Sequence, residues 1–396
     1  MNNQMEKIGL LFTLIMIYSC VNQNQLPNQV EQLNNKGIDK ALYNENFISP
    51  NNIALLLPMD SFREESIAIR DGYVASQFSE GGQFSIKIYN VDKLGSEQSY
   101  LKAEEEGAQF IVGPLLKNNI DNIYHLVDKI PTLALNFIQS DNKIENLYQF
   151  ALAPEDESLE IAKLAIRNGE MNAIALIPDN EWGARVFTSF KKEYEILGGK
   201  ILEHHAYNTE SSDYPEILDV LNIDSSNKRY QRLLANIRLP IQFYPRRRQD
   251  IDFIFIAANS DIGRQISPLL KYHFADDPLK IYSISSIYDV SIINNSDLED
   301  IVFPDMPYIF SIKTNEDKLK LNIQEYWKNN SIKYIRLFAM GIDANRIVKR
   351  IYNNEYSLDG ISGVTGNLYI DNAGKVHRNL IIAKFINGSP SLINIE

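Results

Sequence analysis

The run Ile53-Ala-Leu-Leu-Leu57, ended by Pro58 and followed by Met59-Asp60-Ser61, contains no polar residue. A strand with one wet face alternates polar and apolar residues. An unbroken apolar run of this length reads instead as a strand buried on both faces, as in a parallel sheet covered by helices. A helical pattern follows, with Ile67, Val74, Ala75 and Phe78 on one stripe. Phe84 to Val91 reads as a second strand, and a second helix ends near Gly107. Phe110-Ile-Val112 reads as a third strand stopping at Gly113-Pro114, and Pro131 to Leu135 as a fourth stopping at Asn136. Alternation of strand and helix from the outset predicts a mostly parallel α/β sheet. Ligands and partners of such sheets meet the loops at the carboxyl ends of the strands. Those loops carry Asp60 and Ser61, Gly113 and Pro114 with Lys117-Asn118-Asn119 behind them, and Asn136.

The pattern then repeats. Tyr148 to Ala151 is a strand, and Pro154-Glu-Asp-Glu-Ser158 opens a helix with the proline and carboxylates that suit a first turn. Ala173 to Ile177 is a strand, and Asp179 or Asn180 caps a helix over Trp182–Leu197 that ends at Gly198-Gly199. Further strands are expected at Ile201–Tyr207, Ile251–Ala258 and Leu279–Ile284, the last ending at Ser285-Ser286. Helices are expected at 316–329 and 334–353, and strands with an Asp371-Asn-Ala-Gly374 turn over 366–386. With 396 residues the chain suits two lobes. Lobe one is expected over 51–152 and 282–345, and lobe two over 153–281 and 346–396.

The first residues stand apart. Ile8 to Ile17 is a short apolar run, right for a signal-peptide core and too short to span a bilayer. Ile17-Tyr18-Ser19-Cys20 resembles a bacterial lipobox, with Cys20, the only cysteine, as the lipidation site after cleavage of residues 1–19. Val21 in place of aspartate favours the outer membrane. Asn- and Gln-rich residues 20–50 read as a tether reaching roughly 100 Å when extended and about 30 Å as a coil. The net charge of −12 argues against nonspecific binding to nucleic acid or anionic lipid.

Catalytic motifs are missing from the sequence. There is no G-x-S-x-G and no H-E-x-x-H, and the glycine-rich Gly360–Gly366 lacks the Lys-Ser/Thr of a phosphate loop and reads as a hairpin bend. None of His125, His204, His205, His273 and His377 has a partner at metal-ligand spacing, so they read as surface or packing residues and no metal or cofactor is expected. Arg246-Arg247-Arg248 suit an anion clamp, or a solvated loop paired with Asp250 and Asp252. Asp60, Ser61, Asn136, Ser285 and Ser286 line a cleft or make turns. The residues alone describe a tethered, two-lobed α/β binding module.

Seven stretches together resemble the LpoA family: Gly113–Asn119, Leu133–Asn136, Phe150–Glu157, Pro245–Asp252, Asp297–Val302, Gly341–Ala344, and Gly363–Gly366 through Val376-His-Arg378 to Asn387-Gly388. The resemblance implies an outer-membrane lipoprotein that activates a class A penicillin-binding protein and is not itself an enzyme. It also implies a type I periplasmic-binding-protein-like domain of two lobes joined by three crossovers. Many members carry a helical, tetratricopeptide-like domain ahead of this one, where this sequence has the tether. The other function open to such a fold is a periplasmic receptor for small molecules of the amino-acid type.

Overall fold

The computed structural model describes residues 49–393 apart from 81–83, 139–142, 212, 238–240, 245–246, 274–278, 312–324, 327–331 and 356–360. Cys20, nearly all of the expected tether, Arg246 and almost all of the helix expected at 316–329 lie outside the described residues.

The first sheet is built on β1 (Asn52–Leu57), in which Ile53 to Leu57 are all at most 2% exposed. Around it lie β2 (Ser85–Asn90), β3 (Phe110–Val112), β4 (Thr132–Ala134) and β5 (Leu147–Phe150), parallel in the order β2-β1-β3-β4-β5. Helices α1 (Arg63–Glu80), α2 (Val91–Leu94), α3 (Ser96–Glu105) and α4 (Lys117–Ile123) connect them. The chain then leaves this sheet. Helix α5 (Pro154–Arg167) packs on α6 (Glu181–Ile196) over a second sheet, β6 (Asn172–Pro178), β7 (Lys200–Tyr207), β8 (Phe253–Ile256), β9 (Lys280–Ser283) and β10 (Val302–Asp305), parallel in the order β7-β6-β8-β9-β10. Between β7 and β8 run α7 (Glu216–Leu221) and α8 (Ile223–Asn236); α9 (Ser260–His273) joins β8 to β9. Phe190 stacks on Phe255 and meets Phe253 edge-on in the core of this lobe, which Ile161 and Leu164 of α5 also join.

After β10 come α10 (Pro307–Ser311) and α11 (Ile335–Tyr352), and α11 lies on α1 in the first lobe. Strands β11 (Ile361–Ser362), β12 (Asn367–Ile370) and β13 (Lys375–Asn379) follow, with β13 parallel to β5 in the first sheet. Only Leu380 separates β13 from β14 (Ile381–Ile386), which with β15 (Ser389–Leu392) closes the second sheet antiparallel to β10. The chain therefore crosses between the sheets three times: at 151–153, between β10 and α11, and at Leu380.

Strand pairing divides the chain differently from the sequence expectation. Residues 282–345 were placed in lobe one, yet β9 and β10 extend the second sheet, because α9 returns the chain beside β8 and the polar Ser285-Ser286 begins only a short 3-10 turn. Residues 346–396 were placed in lobe two, yet α11 and β11–β13 belong with the first sheet, and only β14 and β15 with the second.

The stripe expected on α1 also shifts. Phe78 is 48% exposed, and Ile67 and Val74 are half-buried, whereas Ser76 and Gln77 are buried. Helix α11 covers this small, polar flank, and it does so at backbone range. A Cβ on Gly72 would lie 1.9 Å from the Phe338 carbonyl oxygen, and one on Gly341 would lie 2.1 Å from that of Ile69. Two glycines thus let two helices touch along their backbones, and an apolar-stripe reading does not see a face made of glycine, serine and glutamine. Helix α11 is buried without a break from Phe338 to Val348, so its polar groups need partners. Asn345 donates to Gln77 (2.7 Å) and accepts from Ser76 (3.1 Å), and Asp343 accepts from the Val364 and Thr365 amides (3.0 and 2.7 Å). Replacing Gly341 by alanine is expected to cost about 1–3 kcal/mol of stability, as overpacking does. Urea denaturation measures this, and an unchanged midpoint would contradict the backbone contact.

Candidate functional site

The carboxyl ends of the strands hold the residues singled out from the sequence, and most of them fasten loops. The amides of Asp60 and Ser61 and the Ser61 hydroxyl donate to the Asp92 carboxylate (2.8, 2.9 and 2.9 Å). Desolvation pushes Asp92 up, but these hydrogen bonds outweigh it and hold the carboxyl below its ordinary range. Gly113 has φ 104° and sits where a Cβ would meet the Leu56 carbonyl oxygen at 2.2 Å. The Pro114 carbonyl accepts from the Leu135 amide (3.0 Å), and Asn136 Nδ2 donates to the Leu115 carbonyl (3.2 Å), so the loops after β3 and β4 are bound together. Lys117, Asn118 and Asn119 form the first turn of α4, with Asn118 exposed. Lys117 is partly desolvated and lies in the field of Arg185 from α6, which depresses its pKa. Arg185 itself pairs with Glu155 of α5 (3.2 Å). Here the mouths of the two lobes face each other with charges of both signs.

Arg247 and Arg248 are elsewhere. Arg248 grips Asp250 with two parallel bonds of 2.7 Å and reaches Glu203 on β7 at 2.7 Å, leaving its side chain 12% exposed. This is the paired arrangement of the two sequence alternatives, with Asp250 as partner. Asp252 instead accepts from the Met171 and Asn172 amides (both 2.8 Å). Arg247 donates to the Arg248 carbonyl (2.7 Å).

Ser285 and Ser286 lead to a polar cluster at the crossings. Ser286 donates to the Ala258 carbonyl (2.7 Å), and Ser285 donates through both amide and hydroxyl to Glu157 (2.9 Å each). Glu157 and its neighbour Asp156 lie just past the first crossing. Arg378, 2% exposed, lies just before the third. Its guanidinium is 3.6 Å from Glu157 and donates to the Ala153 carbonyl (3.3 Å), and its amide donates to Asp156 (3.2 Å). His377 sits between Asp156 (2.8 Å) and Asp371 (3.3 Å). On the remaining crossing, Arg336 from the first turn of α11 grips Asp305 at the end of β10 (3.1 and 2.5 Å) and donates to the Ser285 and Tyr288 carbonyls (3.3 and 3.1 Å). Cations of the first lobe thus hold carboxylates of the second at every crossing. Burial pushes the Glu157 carboxyl up, which Arg378 partly offsets. Among the described residues no group of three or more potential ligands could hold a metal, and no helix is long and apolar enough to cross a membrane.

This clamp was not legible as a site. On sequence alone Asp156 and Glu157 are acids suiting a helix N-terminus, and His377 is a surface or packing residue. The available signal was a lone arginine inside an apolar pattern: Arg336 in Tyr334-Ile-Arg-Leu-Phe-Ala-Met340 and Arg378 ahead of Leu380-Ile-Ile382. A buried charge needs a partner.

Two mostly parallel sheets joined by three crossings make this a type I periplasmic-binding-protein-like fold. The chain belongs to the LppC family, described as "LppC putative lipoprotein", which matches residues 30–388. It is 26% identical over 349 residues to the penicillin-binding protein activator LpoA of Vibrio antiquarius, covering 84% of this chain and 57% of that one. The chain thus spans little more than half the length of the curated relatives it matches. Among solved structures it is similar to the C-domain of Haemophilus influenzae LpoA, described as a regulator of PBP1A (TM-score 0.67, 21% identity, 87% of this chain and 100% of that one). The fold is shared as well with the leucine-binding protein LivK of Thermotoga maritima (TM-score 0.52, 14% identity, 87% of this chain and 98% of that one).

Desolvation opposes a charge on His377, but the hydrogen bond and charge of Asp156, then those of Asp371, outweigh it and raise its pKa. A histidine whose folded pKa is raised contributes stability that is complete below about pH 6.5 and lost as pH rises through the folded value. His377→Gln is therefore expected to lower the melting temperature at about pH 6 and much less at about pH 9. An equal loss at both would remove the charge from the clamp.

Proposed function

We propose that this protein is a lipoprotein, anchored through Cys20 in the outer membrane and facing the periplasm, that binds and activates a class A penicillin-binding protein. The likeness to proteins named LpoA over most of the chain supports the identity of the partner. The observation that carries docking over ligand capture is the clamp. A receptor that traps a small molecule closes about its crossings, and here each crossing holds an ion pair or a buried charge-assisted bond. Activation then needs only a surface that binds the active synthase better than the resting one. A tenfold preference amounts to about 1.4 kcal/mol. The turn at Lys117-Asn118-Asn119, exposed at Asn118, and the Arg246–Arg248 loop are candidate contacts, and Asp60, Ser61, Gly113, Pro114, Asn136, Ser285 and Ser286 shape the ground around the cleft.

The test is peptide cross-linking by the cognate synthase, with and without the purified protein. The expected result is a faster rate with binding at micromolar concentration or below. No change in rate and no binding would favour the small-molecule receptor. Cys20→Ala is expected to release the protein from the membrane fraction, and a variant still membrane-bound and processed would contradict anchoring at that residue.

A further inference from the structure

Residues 225–249 contain six arginines and one lysine and no aspartate or glutamate, in a chain of net charge −12. Six of the chain's fifteen arginines fall here, against one of its 24 lysines. The bias towards arginine is chemical. A guanidinium fork matches a carboxylate with two parallel hydrogen bonds, whereas an ammonium acts as a point charge. The stretch spans α8 and its return towards β8. Tyr230 of α8 stacks on Phe243 of the return at 4.1 Å and 5°, and its hydroxyl donates to the Ile241 carbonyl (3.4 Å), so the two strands of chain are fastened to each other.

What this pairing leaves outside is unusual. Lys228, Arg229 and Arg232 are exposed and have no ion pair or side-chain hydrogen bond among the described residues. Arg248, by contrast, is fully engaged with Glu203 and Asp250 and so roots the return segment. Arg229, Leu233 and Ile237 follow one another at helical spacing, and Lys228 and Arg232 flank them one position earlier. Leu233 and Ile237 are 43% and 36% exposed and Tyr244 is 70% exposed. Arginine, tyrosine and a small apolar centre are the residues enriched where proteins grip proteins.

We propose that α8 and residues 241–244 form a docking arm for a carboxylate-rich face of a protein partner. The inference rests on the activator reading, in which that partner is the class A synthase, and it assigns to Lys228, Arg229 and Arg232 the contact sought above at Arg246–Arg248. Among the described residues no carboxylate is paired with these cations, so the arm offers its charge to a partner. An anionic lipid surface is the competing occupant. The preference for arginine over lysine and the narrow apolar centre favour protein.

The test compares the full protein with Arg229→Glu/Arg232→Glu and with Tyr244→Ala. All three positions are exposed, so unchanged circular dichroism and melting temperature are expected. Binding to the purified synthase is measured at low and high salt, alongside binding to phosphatidylglycerol vesicles. The proposal expects salt-sensitive binding by the wild type, weakened about tenfold or more and left largely salt-insensitive by the double reversal, as loss of complementary charge requires. It also expects Tyr244→Ala to weaken binding at any salt. Wild-type binding to the synthase with no loss in either variant would overturn the arm and leave the activator reading standing. Loss of vesicle binding alone in the double reversal would assign the arm to lipid and overturn it too. A wild type that does not bind the synthase would remove the activator reading and the arm with it.

Discussion

Arg336 and Arg378 hold Asp305 and Glu157 across the junction of the two lobes, and the relation of every other part depends on that grip. Neither arginine could be buried alone. A buried charge costs several kcal/mol in lost hydration, and removing one partner of such a pair typically costs about 3–5 kcal/mol because the other is stranded. Both pairs sit where the chain passes from one sheet to the other, the places at which a hinge would have to turn. Opening or closing the cleft would change the geometry of bonds that are half-buried, directional and shared with the Ser285 and Tyr288 carbonyls. The fold is shared with a leucine-binding protein; in this chain the crossings carry these charge pairs.

All of the stretches that resemble LpoA proteins except Pro245–Asp252 are fastened to one another. Gly113–Asn119 is tied to Leu133–Asn136 through Pro114 and Leu115, and Phe150–Glu157 to Val376–Arg378 through the clamp. Gly341–Ala344 is tied to Gly363–Gly366 through Asp343, whose carboxylate fills the space a Cβ on Gly363 would need. Asn387-Gly388 donate two amides to Glu299 at 2.8 Å each, within Asp297–Val302. The resemblance therefore resides in joints. Motifs of this kind identify a fold and its fastenings.

Much of the fold was legible because its strands are buried on both faces. Ile53–Leu57, Ala173–Ile177 and Phe253–Ile256 are apolar without interruption, and each is a central strand. The division into lobes was not legible beyond the first crossing, since nothing local distinguishes a strand that extends one sheet from one that returns to the other. Ser285-Ser286 looked like an exit and was a short turn within the lobe. The site was less legible still. Asp60 and Ser61 were found by position, but their partner Asp92 lies 31 or 32 residues away; Glu157 and Arg378 are joined over 221 residues. Long-range pairing of charges has no periodicity to read.

The distance between the lobes tests the clamp most directly. Spin labels at Asn118→Cys on α4 and Lys192→Cys on α6, in a Cys20→Ala background, report it by pulsed electron resonance. The account expects one narrow distance distribution, unchanged by leucine or by the synthase, that broadens when Arg378 is replaced by methionine. Two populations in the unmodified clamp, or a shift to a shorter distance on adding a small ligand, would contradict it.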